Sequence, residues 1–117
     1  MGDTAGTVVD RHLEAFASGD IKRILANYAA DASIVTATKI YRGTKEIELL
    51  FSGLCAEFCV EGVEFELLFR WSDDSKAVFN WQATTKKRRY LLGTDTVAIE
   101  DGKITFQSAA SYATPLA

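Results

Sequence analysis

The chain has 117 residues, of which 48% are apolar and 25% charged, and its formal net charge is −3 at pH 7. This balance is typical of a globular protein, and the length suits a single domain spanning residues 1–117. The acidic balance argues against nucleic acid or an anionic membrane surface as the main partner. No apolar run approaches the roughly 18 residues that span a bilayer, so no membrane segment is predicted.

The first half of the chain has the periodicity of helices. A first helix is predicted from about Val8 to Phe16, and Ser18-Gly19 should end it. Asp20 is a good N-cap for a second helix. The apolar stripe of that second helix, at i, i+3, i+4 and i+7 spacing, would be Ile21, Ile24, Leu25 and Tyr28.

Residues 32–38, ASIVTAT, are rich in β-branched side chains and predict a strand. Residues 41–43, YRG, then lead as a short extended piece into a third helix. Its apolar face would carry Ile47, Leu50, Phe51, Leu54, Cys55 and Phe58.

The second half of the chain predicts strands. Phe65, Leu67, Phe69 and Trp71 alternate with other residues, and residues 72–75 form a turn. Phe79, Trp81 and Ala83 alternate with Asn80, Gln82 and Thr84, and the aromatic set is expected to face inward. A hairpin tip at residues 86–89, a strand over 90–99, a turn at Asp101-Gly102 and a strand over 103–113 complete the chain. Helices followed by antiparallel strands predict an α+β fold with the helices on one face of the sheet.

The strand at residues 91–99, LLGTDTVAI, contains a carboxylate in an unexpected place. Alternation puts Asp95 on the same face as Val97 and Ile99, which are expected to face the core. A charge on a core-facing surface indicates either a pocket or a structural carboxylate satisfied by neighbouring polar groups.

Two stretches carry a resemblance to a known family: residues 16–38, FASGDIKRILANYAADASIVTAT, and residues 91–112, LLGTDTVAIEDGKITFQSAASY. Together with the YRG that opens the third helix, they cover nearly the whole chain. They resemble the nuclear-transport-factor-2-like superfamily, in its SnoaL-like and ketosteroid-isomerase-like branch. The resemblance implies a cone: a curved, mixed, mostly antiparallel sheet and three N-terminal helices that enclose a pocket. It also implies a homodimer formed through the sheet.

The same resemblance places possible catalytic groups. Asp95 falls at or near the oxyanion-hole aspartate of ketosteroid isomerases, whose apolar site keeps that carboxyl neutral and able to donate a hydrogen bond. His12 falls where those isomerases place a tyrosine donor, and Thr36 where they place the aspartate that moves the proton. Because threonine is not a general base at neutral pH, Thr36 argues against steroid isomerisation by that route.

The predicted catalytic residues are therefore Asp95 and His12. The residues predicted to contact a ligand are Thr36, Phe16, Tyr28, Trp81, Val97 and Phe51. For several of these a purely structural role remains open: Asp95 as a satisfied carboxylate, His12 as a packed helix residue and Tyr28 as core. No metal site and no cofactor are predicted, since the chain has one histidine and no CxxC motif.

Cys55 and Cys59 lie four residues apart and are expected on one face of the third helix as free thiols. Free thiols and the absence of a visible secretory signal favour the cytoplasm. The basic run at residues 86–89 is expected to be a solvated hairpin tip, although it also suggests an anion site.

Three functions fit these expectations. The first is an enzyme that promotes proton transfer, cyclisation or isomerisation at the carbonyl of a small, largely apolar molecule. The second is a protein that binds such a molecule without turnover, and the third is a dimerisation module. The fold by itself does not choose among them.

Overall fold

The computed structural model describes residues 3–116, and the first helix, α1, spans Ala5–Ser18. Thr4 caps its start, since the Thr4 Oγ1 accepts a hydrogen bond from the Thr7 backbone N–H at 3.3 Å. Gly19 ends it with φ of 72°, a left-handed conformation that glycine adopts without steric cost. The prediction for this helix is confirmed.

The second helix, α2, is shorter than predicted and spans only Ile21–Leu25. Asp20 caps it as expected, through a hydrogen bond from the Arg23 N–H at 3.4 Å. The prediction that Tyr28 continues the helical stripe is wrong, because Tyr28 begins the first strand. The Asn27 carbonyl accepts a hydrogen bond from the Ile104 N–H at 2.8 Å, so pairing with a distant strand replaces the next helical turn.

The third helix and the strands follow the predicted order. Helix α3 spans Gly43–Phe58, and the strands are β1 Tyr28–Val35, β2 Ile40–Arg42, β3 Glu64–Ser72, β4 Lys76–Thr84, β5 Arg88–Glu100 and β6 Lys103–Pro115. The first strand therefore starts four residues earlier than predicted and ends before Thr36. Asp101 and Gly102, with φ of 51° and 74°, form the tight turn between β5 and β6.

Residues 3–116 contain a six-stranded sheet with the order β2-β1-β6-β5-β4-β3. All neighbours are antiparallel except β1 and β6, which are parallel. Bulges interrupt several of the pairings, and they bend the strands because an extra residue on one strand increases the local twist. The result is the predicted α+β fold, an open curved sheet with the helices on its concave face.

The irregularity between Leu67 and Phe69 changes which side chains of β3 lie on each face of the sheet. Phe65 and Leu67 pair with Ala83 and Trp81, whereas beyond the irregularity Phe69 pairs with Asn80 and Trp71 with Val78. Phe65 and Leu67 therefore share the concave face, and Phe69 and Trp71 the convex face. The expectation that all four lie on one face is wrong, because the irregularity between Leu67 and Phe69 shifts the side-chain alternation by one residue.

The core lies between the helices and the concave face of the sheet. Fully buried side chains come from every layer: Val8 and Val9 from α1, Ile24 from α2, Ile47 from α3, and Ile34, Val97 and Ile104 from the sheet. This core occupies one end of the concave face, and aromatic side chains surround the other end. No helix within residues 3–116 is long and apolar enough to cross a bilayer.

Candidate functional site

A cavity of about 340 Å³ lies between α1, α3 and the concave face of the sheet. Its wall is mainly apolar and contains eight aromatic side chains: Phe16, Tyr41, Phe51, Phe58, Phe65, Phe79, Trp81 and Tyr90. A few polar side chains interrupt this wall: His12, Thr36, Thr38, Asp95, Gln107 and Ser111. An apolar wall with a few converging polar groups is the usual make-up of a small-molecule site.

The mouth and the floor of the cavity differ in exposure. Ala37 and Thr38, in the turn between β1 and β2, are exposed, as are Ala110 and Ser111 on β6. The polar side chains of His12, Asp95 and Gln107 are buried. The cavity therefore opens between the β1–β2 turn and β6, and its polar groups lie at depth.

Asp95 faces the cavity, as strand alternation predicts, and is only 9% exposed. Its carboxylate accepts two hydrogen bonds: Trp81 Nε1–H donates to Oδ1 at 2.9 Å, and Gln107 Nε2–H donates to Oδ2 at 2.8 Å. Each oxygen thus has one donor from a neighbouring strand, Trp81 from β4 and Gln107 from β6. A strand can carry a carboxylate on its core-facing side here because both oxygens are satisfied.

Gly93 makes the position of the Trp81 ring possible. The two residues are directly opposite each other in the β4–β5 pairing, and a Cβ on residue 93 would collide with the Trp81 indole. The ring therefore lies flat across β5 at the one residue without a side chain, and its Nε1 reaches Asp95, two residues further along the strand.

A third residue controls the orientation of the Gln107 amide. The Tyr28 hydroxyl donates a hydrogen bond to Gln107 Oε1, so the Nε2 end of the amide is directed at Asp95. Tyr28, Gln107, Asp95 and Trp81 form one chain of hydrogen bonds across β1, β6, β5 and β4. Such a chain fixes the side chains of the cavity floor because each bond constrains the next.

Burial and hydrogen bonding have opposite effects on the Asp95 carboxyl. Desolvation raises its pKa above the ordinary value of 3.8, and the hydrogen bonds from Trp81 and Gln107 partly lower it again. Burial, together with the negative charge of Asp95, raises the pKa of Tyr28 well above 10. The floor of the cavity is therefore a place where negative charge is costly.

His12, on α1, lies in the same cavity and is 5% exposed. Its ring packs edge-on against Tyr28 and Phe51, with centroid distances of 5.7 and 5.8 Å. Its Nδ1 has no hydrogen-bond partner within residues 3–116. Burial lowers its pKa from 6.5 to about 4, so the imidazole is neutral near pH 7 and one buried ring nitrogen is unsatisfied.

Both predicted catalytic residues, Asp95 and His12, line one cavity, but they do not hydrogen-bond to each other. The hydrogen bonds of the Asp95 carboxylate come from Trp81 and Gln107, and His12 does not contribute one. Thr36 lies at the cavity edge, and its hydroxyl donates to the Lys39 carbonyl at 2.9 Å within the β1–β2 turn.

Four of the six predicted ligand-contacting residues line the cavity: Phe16, Thr36, Phe51 and Trp81. The inward orientation expected for Phe79 and Trp81 is also observed. Val97 and Tyr28 do not line the cavity wall. Val97 is fully buried in the packed end of the core. Tyr28 lies behind the wall, where its hydroxyl bonds to Gln107 and its ring packs against His12 and Phe51.

Several residues of the site were not predicted from the sequence. Gln107 is twelve residues from Asp95, and only the β5–β6 pairing brings them together. Gly93 could have been recognised, since a glycine inside a strand often marks a close approach. Phe58, Phe65 and Tyr90 carry no local signal that separates a cavity wall from core.

Glu57, near the end of α3, holds the β4–β5 hairpin against the helix. It accepts hydrogen bonds from the Thr85 and Tyr90 hydroxyls at 2.8 and 2.9 Å and pairs with Arg88 Nε at 3.2 Å. Burial and the bond to Glu57 raise the pKa of Tyr90 to about 12. One cation of the basic run at residues 86–89 is therefore engaged in this ion pair.

No metal centre is apparent in the part of the chain that the structure describes. Residues 3–116 contain no group of three or more histidine, cysteine, aspartate or glutamate side chains placed to hold an ion. Cys55 and Cys59 are free thiols, and burial together with the neighbouring Cys59 raises the pKa of Cys55 to about 12. A thiol held in its protonated form is a weak nucleophile and a weak metal ligand.

Comparison with known proteins agrees with the fold. The family model of the SnoaL-like domain matches residues 9–107. A search of curated proteins finds no sequence relative. Among solved structures, Bal32a from a soil-derived mobile gene cassette is similar, with a TM-score of 0.76 and 20% identity over 92% of this chain and 88% of that one.

Two further solved structures carry functional names. A candidate polyketide cyclase from Sinorhizobium meliloti has a TM-score of 0.75 and 18% identity, over 88% of this chain and 93% of that one. A candidate ketosteroid isomerase from Kribbella flavida has a TM-score of 0.75 and 11% identity, over 95% of this chain and 82% of that one. At such identities the likeness shows the fold alone.

The open curved sheet with helices on its concave face is the fold of nuclear-transport-factor-2-like proteins among the solved structures. Within that class the chain belongs to the SnoaL-like domain family, whose model matches 99 of its 117 residues, from 9 to 107.

The lowered pKa of His12 predicts a specific loss of stability in acid. Between pH 6.5 and about 4 the unfolded chain binds a proton at His12 and the folded chain does not, so lowering the pH costs up to about 3 kcal/mol. Replacing His12 by leucine should remove this contribution. We expect urea unfolding at pH 7 and pH 4.5 to show a smaller acid loss in H12L than in the wild type.

H12L must be compared with the wild type because the titration of Asp95 changes the free energy of unfolding in the opposite direction. Its raised pKa means that the folded chain binds a proton before the unfolded one, so its contribution to stability increases as the pH falls towards 3.8. That contribution is common to the wild type and H12L and cancels in the difference. Parallel pH profiles for the two proteins would show that His12 titrates normally.

Proposed function

We propose that the protein binds a small, largely apolar molecule in the cavity between the sheet and the helices. The observation that carries this proposal is a largely apolar cavity of about 340 Å³ with the buried polar side chains of His12, Asp95 and Gln107 in its wall. That volume lies at the lower end of the range of about 300–1,000 Å³ typical of ligand pockets. A bound apolar molecule would fill this space.

The site supports binding without requiring a rearrangement of the chain. Trp81 is fixed by Gly93 beneath it and by its bond to Asp95, and the opposite wall is built on α1 and α3. A preformed wall favours affinity because little side-chain freedom is lost when a ligand binds.

Filling the cavity should abolish binding. Ala109 lies opposite Asp95 in the β5–β6 pairing and lines the cavity, so A109W would place an indole where the ligand binds. We expect naphthalen-2-ylmethanol to bind the wild type with one-to-one stoichiometry in isothermal titration calorimetry and not to bind A109W. The control is A56W, at an exposed position on α3 outside the cavity. Equal binding to A109W and A56W would place the probe elsewhere.

A second candidate is catalysis of proton transfer at a carbonyl. It is favoured by one observation, that the cavity wall contains an imidazole that is neutral at pH 7 as well as a carboxyl whose pKa is raised. Neutral imidazole would accept a proton from carbon, and a protonated Asp95 would donate a hydrogen bond to the developing enolate oxygen. Isomerisation and cyclisation both begin with such a step.

Catalysis of this kind predicts exchange of acidic carbon-bound hydrogen. With 2-tetralone in D₂O, we expect the protein to accelerate loss of the C1 proton signals, followed by NMR, by about 100-fold, the lower end of the usual general-base effect. H12L should return the rate to that of buffer, and the exposed control D31N should not. Exchange at the buffer rate in the wild type would leave binding as the function.

We further propose that a second copy of the chain covers the convex sheet face. Large apolar side chains are exposed there, including Trp71 at 50% and Phe69 at 55%, together with Leu92, Phe106 and Tyr112. The residues between them are small: Thr94, Thr96 and Ser108. An exposed group of large apolar side chains usually marks an interface, and in a symmetric dimer the same face of each copy meets its counterpart.

A charge on the convex face should separate the copies. We expect sedimentation velocity to give the mass of two chains for the wild type and of one chain for W71E, because a buried unpaired carboxylate is costly in an interface. L49E is the matched control, since Leu49 is 69% exposed on α3, away from the sheet. A wild-type monomer at micromolar concentration would contradict the homodimer.

The two free thiols support a reducing compartment such as the cytoplasm.

A further inference from the structure

Within residues 3–116, Asp95 has two hydrogen-bond donors and no countercharge. Of the residues that line the cavity, none is lysine or arginine. The donors, Trp81 Nε1 and Gln107 Nε2, occupy one acceptor position on each carboxylate oxygen. A carboxylate has about four acceptor positions, so about two remain for another group.

The arrangement around the carboxylate is suited to its ionised form. The Trp81 indole can only donate, and the Tyr28 hydroxyl donates to Gln107 Oε1, which directs the amide N–H at Asp95. Both neighbours therefore donate to Asp95, and neither accepts a proton from it. An ionised group in such a buried place normally has an ionic partner.

The wall around Trp81 is aromatic and largely closed to water. The Trp81 ring, whose edge holds the carboxylate, has Phe65 stacked at 5.6 Å, with Tyr90 at 5.4 Å and Phe58 at 5.8 Å. Gly93 and Phe65 cover the two faces of the indole, so an ammonium group would pair with the carboxylate and not with the face of Trp81. Most of the remaining wall is apolar, so the rest of the occupant would be apolar as well.

We propose that the occupant of the cavity is a small apolar amine whose ammonium group pairs with the buried carboxylate of Asp95. The proposal rests on the proposed binding function and names the chemical class of its ligand. The ammonium supplies the missing countercharge, and the aryl or alkyl body fills the space towards His12.

The other titratable groups around the site do not oppose this pairing. They are His12 from α1, Tyr28 from β1, Tyr41 from β2 and Tyr90 from β5, while α3, β3, β4 and β6 present no ionisable side chain to the cavity. The pKa of His12 is about 4, so it carries no positive charge at pH 7. Burial raises the Asp95 pKa, and a bound ammonium would counteract that effect.

Three probes of similar shape test the charge preference: naphthalen-2-ylmethylamine, naphthalen-2-ylmethanol and naphthalene-2-carboxylic acid. In calorimetry at pH 7.5, we expect the amine to bind at least about tenfold more tightly than the alcohol, and the acid to bind most weakly, since a charge-assisted bond is stronger than a neutral one. D95N should lower the affinity for the amine more than the affinity for the alcohol and so abolish the preference between them. D31N, at an exposed position on β1, should leave the preference intact.

A measurement on the wild type tests the proposal even if D95N folds poorly. The Asp95 carboxyl-carbon signal, followed by NMR with increasing pH, should show a lower pKa in the saturated amine complex than in the alcohol complex. The amine affinity should also fall as the pH is lowered and Asp95 becomes protonated, whereas the alcohol affinity should not.

The outcomes separate the two proposals. Equal affinity for amine and alcohol, or an Asp95 pKa that is the same in both complexes, would overturn the amine assignment and leave the binding function standing. Failure of all three probes to bind would overturn both. Displacement of the Trp81 ring by G93A should weaken amine binding more than alcohol binding, because it also removes a donor from the carboxylate.

Discussion

The buried carboxylate of Asp95 is the constraint on which the rest of the site depends. Its two oxygens join Trp81 of β4 to Gln107 of β6, and Gln107 extends the connection to Tyr28 of β1. If any of these donors were lost, a buried charge would be left short of a partner, which is more costly than the loss of an ordinary hydrogen bond. The concave face is consequently held at the strands where the cavity needs a fixed floor.

Several features of the cavity lower the stability of the folded chain. His12 has an unsatisfied buried nitrogen, Asp95 is a desolvated acid, and space that side chains could fill is left open. Well-packed aliphatic residues at the other end of the core, such as Ile24, Ile34 and Ile104, supply the compensating burial. Perturbed ionisable groups that gather in one apolar cavity are typical of functional sites.

The two faces of the sheet carry different side chains because of local irregularities in the strands. The bulge in β3 leaves Phe65 on the concave side and sends Phe69 and Trp71 to the convex side. One strand thereby contributes to the cavity wall and to the exposed apolar face. A regular β3 would have put all four large side chains on one face and left the other with Glu66, Leu68 and Arg70.

Local patterns in the sequence were enough to determine the helices α1 and α3, the hairpins of the second half, and the inward direction of Asp95. Each of these follows from periodicity, capping or strand alternation, which act over a few residues. The same patterns misassigned Tyr28, because a hydrogen bond from Ile104 to Asn27 ends the helix that the stripe would have continued.

What only the tertiary structure decided is which residues meet. Gln107 reaches Asp95 through strand pairing, and Trp81 lies over Gly93 through the register of β4 with β5. Whether the aromatic rings enclose a space or fill it depends on how far the curved sheet stands from α1 and α3. These are relations between distant segments, set by packing and register, and no short stretch of the sequence contains them.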